Sequence, residues 1–163
     1  MERAIQIALA RSVIEEIMFT YAEGIDQGDI ETVAQLFMQG AIVLPDGNEI
    51  RGYQEVFDSY TGMIMFYDEQ ERLVPYQRNA CSPRTRHVVT NLIFEFDNAV
   101  ASAHVRSYFT VYQTLGGKNE VIAGGRYVDH FVKAIHGWYL VERKIHFENM
   151  GDMSRHNTAF EGA

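Results

Sequence analysis

Two histidines in adjacent strand-like runs, an aspartate at the end of a helix and a set of tyrosines are the residues here that could move protons. His87 and His104 lie in RHVVTNLIFEF and AVASAHVRSYFTVYQ, on either side of Asp97-Asn98. Alternating runs around such a dipeptide signal a β-hairpin. A two-residue turn makes Phe96 face Ala99 and sets Asn91 opposite His104, Val89 opposite Arg106 and His87 opposite Tyr108, all on one face. Leu92, Phe94, Phe96, Val105, Phe109 and Val111 take the other face, which is apolar enough to be covered by the rest of the fold. The expectation is one core face and one polar pocket face. Carrying the register across GGKN, with Leu115 opposite Glu120, adds Asp129 opposite Arg106 and Tyr127 opposite Tyr108 to the pocket face. Arg106 with Asp129 reads equally well as a cross-strand ion pair. Four residues of strand separate the levels of the two histidines, about 13 Å at roughly 3.3 Å per residue, so they could approach a small substrate from two sides.

The segment YAEGIDQGD places Tyr21 on the apolar stripe of a helix and Asp26 just beyond it. Five helical residues turn through about 140°, so their convergence needs a break near Gly24 or Gly28. Asp29 serves as the cap of the next helix, which leaves Asp26 without a structural task. A carboxylate bonded to an imidazole fixes its tautomer and balances its charge, as an acid–base pair near neutral pH requires. Ser102 and Ser107 lie within strands, not in the sharp turn of a nucleophile. His87, His104 and Asp26 or Asp129 include the donor types of a metal set but lack the close spacing that preorganises ligands, so no metal and no cofactor is assigned. His130, His136, His146 and His156 find no partner in the pattern. Arg143, Lys144 and His146 in the last strand are candidates for which a structural reading prevails.

These residues must be held by helices first and strands later. Ile7, Ala10, Ile14, Ile17, Met18, Tyr21 and Ile25 recur every three or four residues, one face of an amphipathic helix. Gly28 ends it, and Ile30, Val33, Ala34 and Phe37 stripe a short second helix. AIVL and EIRG flank the turn PDGN as a small hairpin, and a third helix covers roughly residues 53 to 66. Residues 68 to 85 read as a long loop. VIAGGRYVDHFVKAI and WYLVERKIHF follow the central hairpin as strands, which predicts an antiparallel meander in an α+β domain of residues 1–150. Residues 151–163 read as a tail whose order depends on a partner subunit or on closing over the pocket.

Composition narrows the functional classes. The 163 residues are 47% hydrophobic and 12% aromatic, enough to bury one full core, and the net charge of -8 argues against nucleic acid as a partner. No apolar run approaches the roughly 18 to 20 residues of a membrane span, so a cytoplasmic protein without a membrane partner is expected. The single Cys81 excludes an internal disulfide.

YAEGIDQGD followed by LF, TRHVVTN, VASAH and GGRYVDHFVKAIHGWYLVERK, spanning roughly residues 5 to 148, resemble the SnoaL-like branch of the nuclear-transport-factor-2-like superfamily. Scytalone dehydratase is the enzyme they resemble most. The resemblance implies a cone of curved antiparallel sheet wrapped around the N-terminal helices and enclosing a deep pocket. It also implies a catalytic set of Asp26, His87 and His104. The tyrosine that precedes the aspartate in that enzyme is Ile25 here, and Tyr21 is the substitute. Bile-acid dehydratases are similar in pairing a tyrosine and an aspartate five residues apart with a strand histidine. Ketosteroid isomerase fits poorly, because its catalytic aspartate falls nearest Pro45.

The implied activity is a cofactor-independent lyase removing water from a hydroxylated cyclic or polycyclic carbonyl compound. Asp26, His87, His104 and Tyr21 are then catalytic, and Asn91, Arg106, Tyr108, Tyr127 and Asp129 bind substrate. Isomerisation or cyclisation by the same enolate chemistry is one alternative. A non-catalytic module related to the small subunit of ring-hydroxylating oxygenases is another. A small-molecule substrate and a homo-oligomer, dimer or trimer, are the implied partners.

Overall fold

A computed structural model describes residues 1–161, so the last two residues of the expected tail lie outside the described residues. Helix α1 (Glu2–Gln27) buries Ala10, Ile14, Met18, Tyr21 and Ile25, the stripe that the periodicity predicts. It stops at Gly28, whose left-handed φ of 74° lets the N–H groups of Gly28 and Asp29 turn back to the carbonyls of Ile25 and Gly24. Helix α2 (Ile30–Gln35) starts at once, capped by Asp29 through the Thr32 amide. Strands β1 (Ala41–Val43) and β2 (Glu49–Arg51) form the small hairpin, and helix α3 (Gly52–Met63) follows. The expected long loop contains a short pairing of β3 (Phe66–Tyr67) with β4 (Leu73–Val74).

The meander consists of β5 (Thr85–Phe96), β6 (Ser102–Leu115), β7 (Lys118–Ala134) and β8 (Gly137–Met150). The sheet order is β2-β1-β8-β7-β6-β5, antiparallel except where β1 runs parallel to β8. Its concave face closes over α1, and the core gathers there around Met18, Phe37, Val105, Phe131 and Leu140. No helix of the described residues is long and apolar enough to cross a membrane.

Two local features overturn the expected register. Phe96 pairs with Ala103, not Ala99, because residues 97–101 form a wider loop in which the Asp97 carboxylate accepts from the amides of Ala101 and Ser102. That shift of four preserves the faces. The bulge between Thr90 and Ile93 does not, since Asn91 adopts a left-handed φ of 55° and one residue drops out of the alternation. Everything in β5 before the bulge changes face, so His87 pairs with Val111 and turns inward while His104 stays outward. In the next hairpin Leu115 pairs with Lys118 across Gly116-Gly117, and a bulge between Val111 and Tyr112 sets Asp129 beside Val105 and Tyr127 beside Ser107. Asp129 and Tyr127 therefore face the core.

Gly28 is the position where this geometry is least replaceable. A Cβ there would collide with the Cys81 carbonyl, and the φ disfavours any other residue. Gly28→Ala is expected to lower stability by more than about 1 kcal/mol, measured as a shift of the urea midpoint at unchanged slope.

Candidate active site

Between α1, α3, the concave sheet and the C-terminal segment lies a cavity of about 230 Å³. Ile25, Ile42, Leu44, Phe109, Val111 and Ile145 make its apolar walls, and Tyr21, Tyr60, Tyr127, His87, His156 and Asn157 bring polar atoms to it. Few polar groups on an apolar lining is the usual composition of a small-molecule site.

Asp26 is buried in the last turn of α1, against the first residues of β5. Thr85 and His87, two apart on one strand, share the face that meets it. Asp26 Oδ1 accepts from Thr85 Oγ1 at 2.7 Å and from His87 Nδ1 at 2.6 Å, and Oδ2 accepts from the His87 amide at 2.8 Å. Burial pushes the carboxyl upward, but the bonds from His87 and Thr85 outweigh it and hold Asp26 below its ordinary value. An ionised carboxylate only accepts, so Nδ1 of His87 carries the proton and Nε2 keeps the lone pair. His87 also lines the cavity. A ring so oriented can take a proton, and Asp26 would balance the resulting charge.

Part of the same lining is phenolic. The hydroxyls of Tyr21 and Tyr60 lie 2.6 Å apart, and burial raises both above the ordinary phenol value, so they stay protonated as donors. Arg143 lies between the rings of Tyr21 and Tyr127, with its guanidinium carbon 4.2 Å from each ring centre. Asp129 grips it through two bonds of 2.8 and 2.6 Å, and both side chains are fully buried. Burial works against the guanidinium charge, yet Asp129 raises Arg143 above its ordinary value and keeps it cationic.

The C-terminal segment supplies a further imidazole. Met153, His156 and Asn157 line the cavity, and burial, with His87 nearby, pushes His156 down to about 4. Among the described residues no group of three or more His, Cys, Asp or Glu side chains is arranged to hold a metal ion.

A family model of the SnoaL-like domain matches residues 6–144. The chain belongs to the SnoaL-like family. No curated protein matches it. Three solved structures from Novosphingobium aromaticivorans are similar. A proposed scytalone dehydratase is 19% identical, covering 91% of each chain with a TM-score of 0.67. A nuclear-transport-factor-2-like protein with a cystatin-like fold is 14% identical, covering 88% of this chain and 84% of its own at 0.65. The beta subunit of a proposed aromatic-ring-hydroxylating dioxygenase is also 14% identical, covering 89% and 93% at 0.66. Such identities establish the fold alone: the nuclear-transport-factor-2-like α+β cone that the sequence resemblance implies.

Within this SnoaL-like domain the expected site residues separate. Tyr21, His87 and Tyr127 meet at the cavity, Asp26 lies behind His87 and bonds its ring, and Asp129 is bonded to Arg143 and not to Arg106. The expectation that His104, Asn91, Arg106 and Tyr108 share the pocket is corrected: the cavity lies on the Phe109–Val111 face of β6, so His104, Arg106 and Tyr108 take the exposed outer face, and Asn91 is exposed in the bulge. There His104 stacks on His130 with ring centres 4.4 Å apart, and Arg106 bonds Glu95 at 2.8 Å. Sequence reasoning missed Tyr60 and His156 and left Arg143 without a role. The α3 spacing Tyr53, Val56, Phe57, Tyr60 carried a signal for the first. The aperiodic tail carried none for His156.

Arg143→Met strands the Asp129 carboxylate and should cost about 3–5 kcal/mol in urea unfolding, whereas Asp129→Leu with Arg143→Met should cost less than the single change. For His156, the unfolded chain binds a proton below 6.5 that the folded chain refuses until about 4. Stability from this group is therefore complete above 6.5 and lost as pH falls through that window. His156→Gln should flatten the stability–pH curve across the window, read as unfolding midpoints of the two proteins at matched pH.

Proposed function

We propose that this SnoaL-like domain is a cofactor-independent lyase that removes water from a hydroxylated cyclic or polycyclic carbonyl compound. The observation that carries the reading is that His87, its ring held by Asp26, lines the same cavity as the hydrogen-bonded Tyr21 and Tyr60. His87 Nε2 takes the proton from the carbon next to the carbonyl, and the C–H electrons move into the enolate. A phenol of the Tyr21–Tyr60 pair donates a hydrogen bond to the carbonyl oxygen, where that charge develops. The enolate then collapses, the C–O bond to the β-hydroxyl breaks, and the hydroxyl leaves as water with the proton from His87. Asp26 balances the imidazolium throughout, acting on His87 in place of His104. Tyr127 shapes the phenolic wall, and the Asp129–Arg143 pair fixes it. Association of copies as a dimer or trimer is part of the same proposal.

The likeness to an oxygenase beta subunit favours a second reading, a non-catalytic binding module. A bicyclic β-hydroxyketone of the tetralone series, which loses water to a fluorescent naphthol, separates the two. The lyase reading predicts naphthol release and a product lighter by one water. Asp26→Asn and His87→Gln should each lower turnover by about 10²- to 10⁴-fold with unchanged circular dichroism. Conversion without loss of water would indicate an isomerase or cyclase using the same enolate, and full activity in both variants would remove the dyad from the mechanism.

A further inference from the structure

The C-terminal segment is bound to the domain by groups other than its histidine ring. The Met65 amide donates to the His156 carbonyl at 2.8 Å, and the amides of His156 and Asn157 return to the Met153 carbonyl at 2.9 and 3.0 Å. Tyr67 Oη and Gln113 Nε2 donate to the Arg155 carbonyl at 2.7 and 3.0 Å. Ile64 and Asn157 form a bridge. These tethers fix the segment across the cavity, and none of them uses the imidazole of His156.

That imidazole nevertheless lines the cavity that His87, Tyr21 and Tyr60 share. Its Nδ1 is buried and has no hydrogen-bond partner. No side-chain hydrogen bond holds the ring among the described residues, so its donor and acceptor capacity is free for a ligand in the cavity that His156 lines. A neutral imidazole has one donor and one acceptor, which suits a hydroxyl group better than an anion.

We infer that His156 is a ligand-contacting residue whose imidazole exchanges a hydrogen bond with the hydroxyl group of the substrate, in the cavity where the Tyr21–Tyr60 pair holds its carbonyl. This rests on the lyase reading and extends it. The site selects hydroxyketones over the corresponding ketones, and the selecting group comes from the C-terminal segment, outside the matched residues 6–144. Burial and the neighbouring His87 keep His156 uncharged at neutral pH, so it acts there as a polar neutral contact and not as a cation.

The test uses the full chain carrying His87→Gln, so that bound ligand is not consumed, with and without His156→Leu. Affinities are measured by calorimetry for two probes, the β-hydroxytetralone and the tetralone lacking the hydroxyl. The expected result is a loss of about tenfold for the hydroxylated probe on His156→Leu and less than about twofold for the plain ketone. An equal loss for both probes, or none for either, overturns the role of His156. If His87→Gln still dehydrates the hydroxylated probe at the native rate, His87 is removed from the mechanism, and the KM for that probe with and without His156→Leu, set against the affinities for the plain ketone, decides whether His156 contacts the hydroxyl. Absence of binding of either probe to the native chain overturns both.

Discussion

The three hydrogen bonds into the Asp26 carboxylate hold this site together. One side chain in the last turn of α1 accepts from Thr85 and from both the ring and the amide of His87, so it joins helix to sheet and orients the imidazole at once. Bonds to a charged acceptor contribute roughly 1.5–3 kcal/mol each, enough to offset the burial of the carboxylate. The arrangement needs the helix to stop within two residues, which Gly28 and the Asp29 cap accomplish. It also needs the start of β5 to face inward, which the bulge at Asn91 accomplishes.

The remaining polar groups follow from what an apolar concave sheet can tolerate. A charge on the inner face survives only when paired, and Asp129 with Arg143 meets that condition through two bonds and two aromatic rings. Once the cation is fixed there, Tyr21 and Tyr127 pack on it, and Tyr60 reaches Tyr21 from α3. Helix α1 thus serves both groups, Tyr21 in the phenolic set and Asp26 behind the imidazole, and His87, Tyr21 and Tyr60 line one cavity.

Much of this was legible in the sequence. The α1 stripe, the capping Asp29, the four long strands and the meander all follow from periodicity and turn residues. The set legible from residue types and motif resemblance is Tyr21, Asp26, His87 and His104, of which His104 lies on the outer face. Which face each strand residue takes was not legible. Face assignment depends on counting from the turn, and one extra residue reverses it. The extra residue in β5 is marked only by Asn91, a type that tolerates left-handed backbone but occurs in ordinary strands as well. GGKN reads as a turn with Leu115 opposite Glu120, whereas Leu115 pairs with Lys118 and a bulge at Val111 moves the register again. His156 was illegible for another reason. Its position depends on backbone tethers from Met65, Tyr67 and Gln113, which no local pattern announces.

The central claim is that Asp26 holds His87 with a proton on Nδ1 and a free Nε2 toward the cavity. Long-range proton–nitrogen NMR of the histidine rings tests it most directly. The account predicts a His87 ring in the Nδ1–H form with a far-downfield Nδ1 proton, lost when Asp26 is replaced by Asn. A His87 ring in the Nε2–H form, or one whose spectrum is unaffected by that replacement, would contradict it.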